Sequence, residues 1–197
     1  GKKVLVLGSG GASMTARTVV ADRGAREVVI ISRRGEDNYD NIDRHADCDI
    51  IVNTTPVGMY PNNGISPVSL GRFPKLSGVV DMIYNPSKTA LILEAEERGI
   101  PCISGLCMLV AQAKAASEFF TGEKIEDAKI DEITAHISFD TKNIMLIGMP
   151  GVGKTTNGRL IAQKLRRDFV DIDSEIVKRS GKSIPDIFAE QGEGGFR

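Results

Sequence analysis

Five short apolar runs mark the first hundred residues: "KVLVL" at 3–7, "EVVII" at 27–31, "DIIVN" at 49–53, "GVVDM" at 78–82 and "PCIS" at 101–104. Their apolar positions are consecutive rather than alternating, as in strands covered on both faces. Helix-like stretches separate them, at 11–23, from beyond "IYNPSK" to about Arg98, and from about Leu106 to Phe120. Doubly covered strands alternating with helices predict an α/β fold, a doubly wound parallel sheet.

Beyond Thr121 the periodicity loosens. The segment "TGEKIEDAKIDEITAHISFDTK" is charged with isolated apolar residues, and is expected to be a linker that can hold a short strand or helix of its own. A new strand–glycine loop–helix unit begins with "NIMLI" at 143–147 and runs to about Leu165; "DFVDID" at 168–173 reads as its next strand, and a short helix is expected near Pro185. The expected organisation is therefore a domain over 1–120, a linker over 121–142 and an incomplete second domain over 143–197.

Composition narrows the function classes. The chain has 197 residues, 41% apolar and 26% charged, an ordinary globular balance with enough material for a core. A net charge of −1 gives no bulk electrostatic reason to expect nucleic acid or an anionic membrane as partner. The three cysteines, Cys48, Cys102 and Cys107, lack metal-site spacing and suit a reducing, cytoplasmic setting. No apolar run is long enough to span a bilayer. The chain opens on Gly1 directly at a strand, so it reads as an internal piece of something longer.

The first candidate chemistry is "GSGGAS" at 8–13, between a strand and a helix. Gly8 allows the tight turn, Gly10 lets the backbone approach a pyrophosphate, and Ser9, Gly11 and Ala12 lead into a helix N-terminus with open N–H groups. The third small position of a dinucleotide fingerprint is Ser13, and glycines serving packing alone are the other reading. An NAD site places Asp or Glu at the end of the second strand; here stand Ser32, Arg33 and Arg34. Guanidinium groups grip a 2′-phosphate bidentately, which selects NADP, unless the pair is a solvated basic loop. Together the glycine turn and the doubly wound sheet predict a Rossmann-type domain.

The second is "GMPGVGKT" at 148–155, which matches the P-loop pattern at every fixed position. Gly151, Val152, Gly153, Lys154, Thr155 and Thr156 are the candidate ATP-binding residues: backbone N–H groups wrap the β-phosphate, Lys154 neutralises charge and the Thr155 hydroxyl ligates Mg²⁺.

In order and spacing, "GSGGAS", "NTTPVGMYP", "DMIYNPSKT" and "GLCMLVAQA" resemble the NADP-binding domain of shikimate dehydrogenase, a likeness covering residues 1 to about 125. The resemblance implies that Thr54, Thr55 and Met82 contact the cofactor, that Gly105 and Met108 line the nicotinamide, and that Tyr84 and Gln112 contact the substrate. Met108 has core filling as its other reading. Gln112 would otherwise lie unpaired on an apolar face. The resemblance also implies a catalytic Lys–Asp pair in a preceding domain, which is expected outside residues 1–197.

The segment with "DFVDIDSEI" and "GEGGFR" resembles the N-terminal part of shikimate kinase. That likeness implies Asp171 near the Mg²⁺, Asp173 orienting the substrate hydroxyl, and Arg197 pairing with the shikimate carboxylate. A solvated acidic pair at a strand end is the other reading of Asp171 and Asp173. The lid and adenine pocket of a complete kinase are expected outside residues 143–197.

The two likenesses name consecutive steps: NADPH-dependent reduction of 3-dehydroshikimate to shikimate, then ATP-dependent phosphorylation of shikimate. The expectation is a segment of a bifunctional enzyme of aromatic amino-acid biosynthesis. Two alternatives stand beside it: a quinate/shikimate dehydrogenase preferring NAD, and a nucleotide-binding regulatory module without turnover.

Overall fold

The computed structural model describes residues 1–196, which separate into two compact units, Gly1–Lys142 and a second that starts at Asn143. In the first, β1 (Lys3–Leu7), β2 (Glu27–Ile31), β3 (Ile50–Asn53), β4 (Gly78–Asp81) and β5 (Cys102–Ile103) form one sheet in the order β2-β1-β3-β4-β5. Every pairing is parallel. The helices are α1 (Gly11–Asp22), α2 (Ala90–Glu97), α3 (Leu106–Thr121) and α4 (Ala128–Asp140), with single 3₁₀ turns at Ile42–His45 and Leu70–Arg72.

The consecutive apolar positions do what their pattern requires: β1 is buried along its whole length. On one face Leu5, Leu7, Ile31, Ile51 and Val79 pack with Leu91, Ile92 and Ala95 of α2 and with Leu70 and Phe73. On the other, Val4, Val6 and Val52 pack against Ala16 of α1. Fully burying one such aliphatic side chain contributes about 1.5–3 kcal/mol, so these two layers hold the sheet.

The register matters most for function. Leu7 pairs with Ile31 on one side and Asn53 on the other, and Asn53 pairs with Asp81. Four strands therefore end level, and their next residues, Ser32, Gly8, Thr54 and Met82, begin four loops along one carboxyl edge. Sequence order reverses between β1 and β3, the switch point where open α/β sheets take ligands.

The expected linker, 121–142, holds a helix of its own, α4. Gly122 caps α3 in the left-handed conformation (φ 74°), and α4 then packs against α3. Lys114 of α3 joins them, bonded to Glu118 at 3.1 Å and to Asp127 at 2.9 Å.

The second unit consists of α5 (Lys154–Leu165), α6 (Ile172–Ser180) and α7 (Ile184–Phe196), the last interrupted at Gly192 (φ 65°). Here two sequence expectations are corrected: neither 143–147 nor 168–173 forms a strand, and Ile172 already begins α6. A strand exists only through the ladder of a neighbour, and two short apolar runs without further strands do not sustain a parallel sheet. Instead the runs pack on α5, where Gly158 is buried between Phe169 and Leu146. Among the described residues, no helix is long and apolar enough to cross a membrane.

Candidate functional site

Along the carboxyl edge of the sheet, Gly8 adopts φ +108°, a conformation suited to glycine. A Cβ there would lie 2.7 Å from the Thr54 hydroxyl oxygen. That hydroxyl donates to the Leu7 carbonyl at 2.6 Å, so Thr54 buttresses the glycine turn from β3. Gly10 precedes α1 with φ −84°, and a Cβ there would meet nothing within 4 Å. The first-turn N–H groups of Gly11 and Ala12 come before any intrahelical acceptor, and Ser9, Gly10, Gly11 and Ala12 are all exposed. The edge of the turn thus leaves backbone donors open to an approaching phosphate.

At the end of β2 the chain folds into a tight loop. The Ser32 N–H donates to the Asp37 carbonyl at 3.1 Å, and the Asn38 and Asn41 side chains bond the loop backbone. Arg33 and Arg34 project from it, exposed. The carboxylate of Asp37 is drawn to the His45 ring, 2.8 Å from Nε2. The loop therefore presents cations beside the glycine turn and ties back its partly buried acid.

Across the switch point, an open cleft of about 350 Å³ is lined by Thr54, Thr55, Met59, Tyr60, Met82 and Tyr84 together with Pro56, Ile83 and Asn85. The two loops that wall it are joined by the Tyr60 N–H, which donates to the Asn85 carbonyl at 3.0 Å. Gly105 touches the same wall: its N–H donates to the Ile83 carbonyl at 3.0 Å, and a Cβ at 105 would sit 2.1 Å from the Met82 carbonyl oxygen. This close approach brings the N-terminus of α3 against the loop after β4. Tyr84 is half exposed, and Met108 at 36% exposure is not core filling. Gln112 lies exposed on α3 rather than among apolar neighbours.

Beneath the cleft lies a polar chain that sequence reasoning missed. Asp81 is fully buried; its Oδ1 accepts from Asn53 Nδ2 at 3.0 Å and from the Ile83 N–H at 3.1 Å, and its Oδ2 accepts from the Thr89 hydroxyl at 2.6 Å. The Asn53 Oδ1 in turn accepts from the N–H and hydroxyl of Thr55, at 3.0 and 2.7 Å. Burial pushes the Asp81 carboxyl up, partly offset by the bonds from Thr89, Ile83 and Asn53. The available signal was an acid ending an apolar run in a doubly covered sheet, where an unpartnered charge is costly.

In the second unit, Gly151 and Gly153 take φ +79° and +83°, turning the loop before α5. Lys154 Nζ donates to the carbonyls of Gly148 and Met149, both at 2.8 Å, and so lies folded over its own loop. The Thr155 hydroxyl donates to Asp171 Oδ2 at 3.3 Å, which brings two sequence-predicted residues together. Asp171 also caps α6, while Asp173 lies exposed in its first turn. Val152 and Thr156 are exposed beside them. Arg197 lies outside the described residues.

The shikimate kinase family matches over residues 150–197. A shikimate dehydrogenase (NADP(+)) of Caldanaerobacter subterraneus is 36% identical over 142 residues, covering 62% of this chain and 51% of the relative. A shikimate kinase of Geobacillus thermodenitrificans is 61% identical over 56 residues, 28% of this chain and 30% of the relative. The crystal structure of a chorismate mutase/shikimate 5-dehydrogenase fusion protein from Clostridium acetobutylicum matches with a TM-score of 0.68 at 34% identity, covering 72% of this chain and 56% of that one. The chain spans about half the length of the curated dehydrogenases it matches. It thus joins a shikimate dehydrogenase-like region, over most of its length, to a shikimate kinase-like segment over residues 150–197.

Proposed function

We propose that the first unit binds NADP along the carboxyl edge and serves the interconversion of 3-dehydroshikimate and shikimate. The observation that carries this reading is the level row of four loops: a glycine turn at Gly8, exposed Arg33 and Arg34 on one side, and the cleft of Thr54 and Met82 on the other. The open backbone of Gly10–Ala12 fits a pyrophosphate. Arg33 and Arg34 fit a 2′-phosphate by charge and fork geometry. When bound, the nicotinamide supplies the hydride chemistry. The chain's own part is orientation: Met82 lines the cleft, Gly105 and Met108 at the start of α3 are assigned to face the ring beside it, and Tyr84 and Gln112 are exposed to reach a substrate hydroxyl or carboxylate.

The second unit is proposed to bind ATP with Mg²⁺ and to serve phosphorylation of shikimate. Its fit rests on the turn at Gly151 and Gly153, on Lys154 beside the loop carbonyls, and on the Thr155–Asp171 contact. Among the described residues no cluster of three or more His, Cys, Asp or Glu could hold a metal ion. A bound Mg²⁺ would therefore draw on Thr155, on Asp171 directly or through water, and on the nucleotide phosphates, in keeping with its sparse protein ligation elsewhere. Asp173 is assigned to orient the acceptor hydroxyl and Arg197 to pair with the substrate carboxylate.

The test of the dinucleotide reading is a fluorescence titration comparing NADPH with NADH. NADPH is expected to bind at least tenfold more tightly, since one charge-assisted contact to phosphate contributes about 1.5–3 kcal/mol. Equal affinities would overturn the assignment of Arg33 and Arg34.

A further inference from the structure

We propose that Asp81, with Thr89 and Asn53, is a positioning unit that sets the affinity of the chain for the nicotinamide half of NADP(H). The inference rests on the dinucleotide reading above.

Asp81 is a fully buried carboxyl group at the end of a central strand, and its three donors come from three different places. Asn53 ends β3 and passes the connection to Thr55, whose hydroxyl accepts from the Val57 N–H at 3.2 Å. Ile83 belongs to the loop after β4. Thr89 opens α2, where its hydroxyl also accepts from the Ile92 N–H at 3.3 Å. Both loops that wall the cleft are thereby fastened to one carboxylate: the loop of Thr54 and Thr55 through Asn53, and the loop of Met82 and Tyr84 through Ile83. The first loop also rests on Thr89 at Gly58, whose Cβ, were there one, would lie 3.7 Å from the Thr89 Cβ.

A purely structural anchor could be an apolar contact, which avoids the desolvation cost that a buried carboxyl group carries. Donors arriving from both walls suggest a different purpose, since a planar acceptor dictates the distance and angle between the loops. Asp81 does not touch the cleft space itself; it acts through Thr55 and Ile83. The adenosine and 2′-phosphate half would lie over β1 and β2, away from this unit.

That separation gives the test. Binding of NADPH and of 2′,5′-ADP, which carries the phosphate end without the nicotinamide, is measured on the full 197-residue chain and its variants. Asp81→Ala is expected to weaken NADPH at least about tenfold while leaving 2′,5′-ADP within about twofold. Asp81→Asn keeps an oxygen to accept from Asn53 and Ile83 and offers Thr89 an amide N–H that donates to the hydroxyl, reversing that one bond, and is expected to restore most of the NADPH affinity. Should Asp81→Ala not fold, Thr89→Val against Thr89→Ser makes the same comparison, with loss in the first and retention in the second. An unchanged NADPH affinity in Asp81→Ala or Thr89→Val overturns the inference, and so does an equal loss of both ligands. Absence of 2′,5′-ADP binding by the unaltered chain overturns the dinucleotide reading itself, and with it the inference.

Discussion

Gly10→Ala separates what the fold needs from what the ligand needs. The residue has φ −84° and ψ −172°, which any amino acid adopts, and a Cβ would meet nothing within 4 Å. The folded chain has no steric use for glycine there. Replacing a helix-preceding glycine by alanine costs up to about 1 kcal/mol in capping, offset by about 0.4–1 kcal/mol from the stiffer unfolded chain. Net stability should therefore stay within about 1 kcal/mol of the parent. A pyrophosphate seated on the Gly10–Ala12 backbone would meet the new methyl group and lose at least one charge-assisted N–H contact, about 1.5–3 kcal/mol or 10- to 150-fold in affinity. Urea denaturation followed by NADPH titration on the same sample reads both quantities. Unchanged NADPH affinity in a normally folded variant would refute the placement of the pyrophosphate.

Three further expectations follow from the geometry. Gly105→Ala would drive a methyl group to 2.1 Å from the Met82 carbonyl oxygen; the obstacle is backbone, so α3 must retreat, at about 1–3 kcal/mol in denaturation midpoint measurements. Gly8→Ala combines φ +108° with a 2.7 Å approach to Thr54, and should lower stability by at least about 1 kcal/mol, in contrast to Gly10→Ala. Burial raises the Asp81 carboxyl, so the unfolded chain releases this proton at lower pH than the folded chain. Its contribution to stability is fullest below the unfolded value of about 4 and is lost as pH rises through the folded value. The stability of Asp81→Asn relative to the parent should accordingly rise from pH 4 upward, and a flat difference would contradict the assignment.

The strands of the first unit were readable because their side chains are buried on both faces. "KVLVL" and "EVVII" coincide with β1 and β2, and the remaining three differ by one or two residues at their ends. Strand order was not readable, since nothing local in "EVVII" says that it pairs outside β1. The run "NIMLI" at 143–147 carries the same local signal as β1, and "DFVDID" at 168–173 a weaker one, yet neither forms a strand, because a ladder depends on neighbours that local pattern does not specify. At the site, Thr54 was legible as a loop residue but not as a buttress, since its bond to Leu7 arises only from the register of β1 and β3. Asp81 and Thr89 escaped notice for the same reason, eight residues apart in sequence and joined only where α2 folds back.

Two nucleotides held by separate residues of one chain is the central claim, and calorimetric titration of NADPH and Mg·ATP into the parent, Arg33→Ala and Lys154→Ala tests it most directly. Arg33→Ala is expected to weaken NADPH at least tenfold and leave ATP unchanged, while Lys154→Ala abolishes ATP binding and leaves NADPH unchanged. Loss of both ligands from either single substitution, or no loss from both, would contradict it.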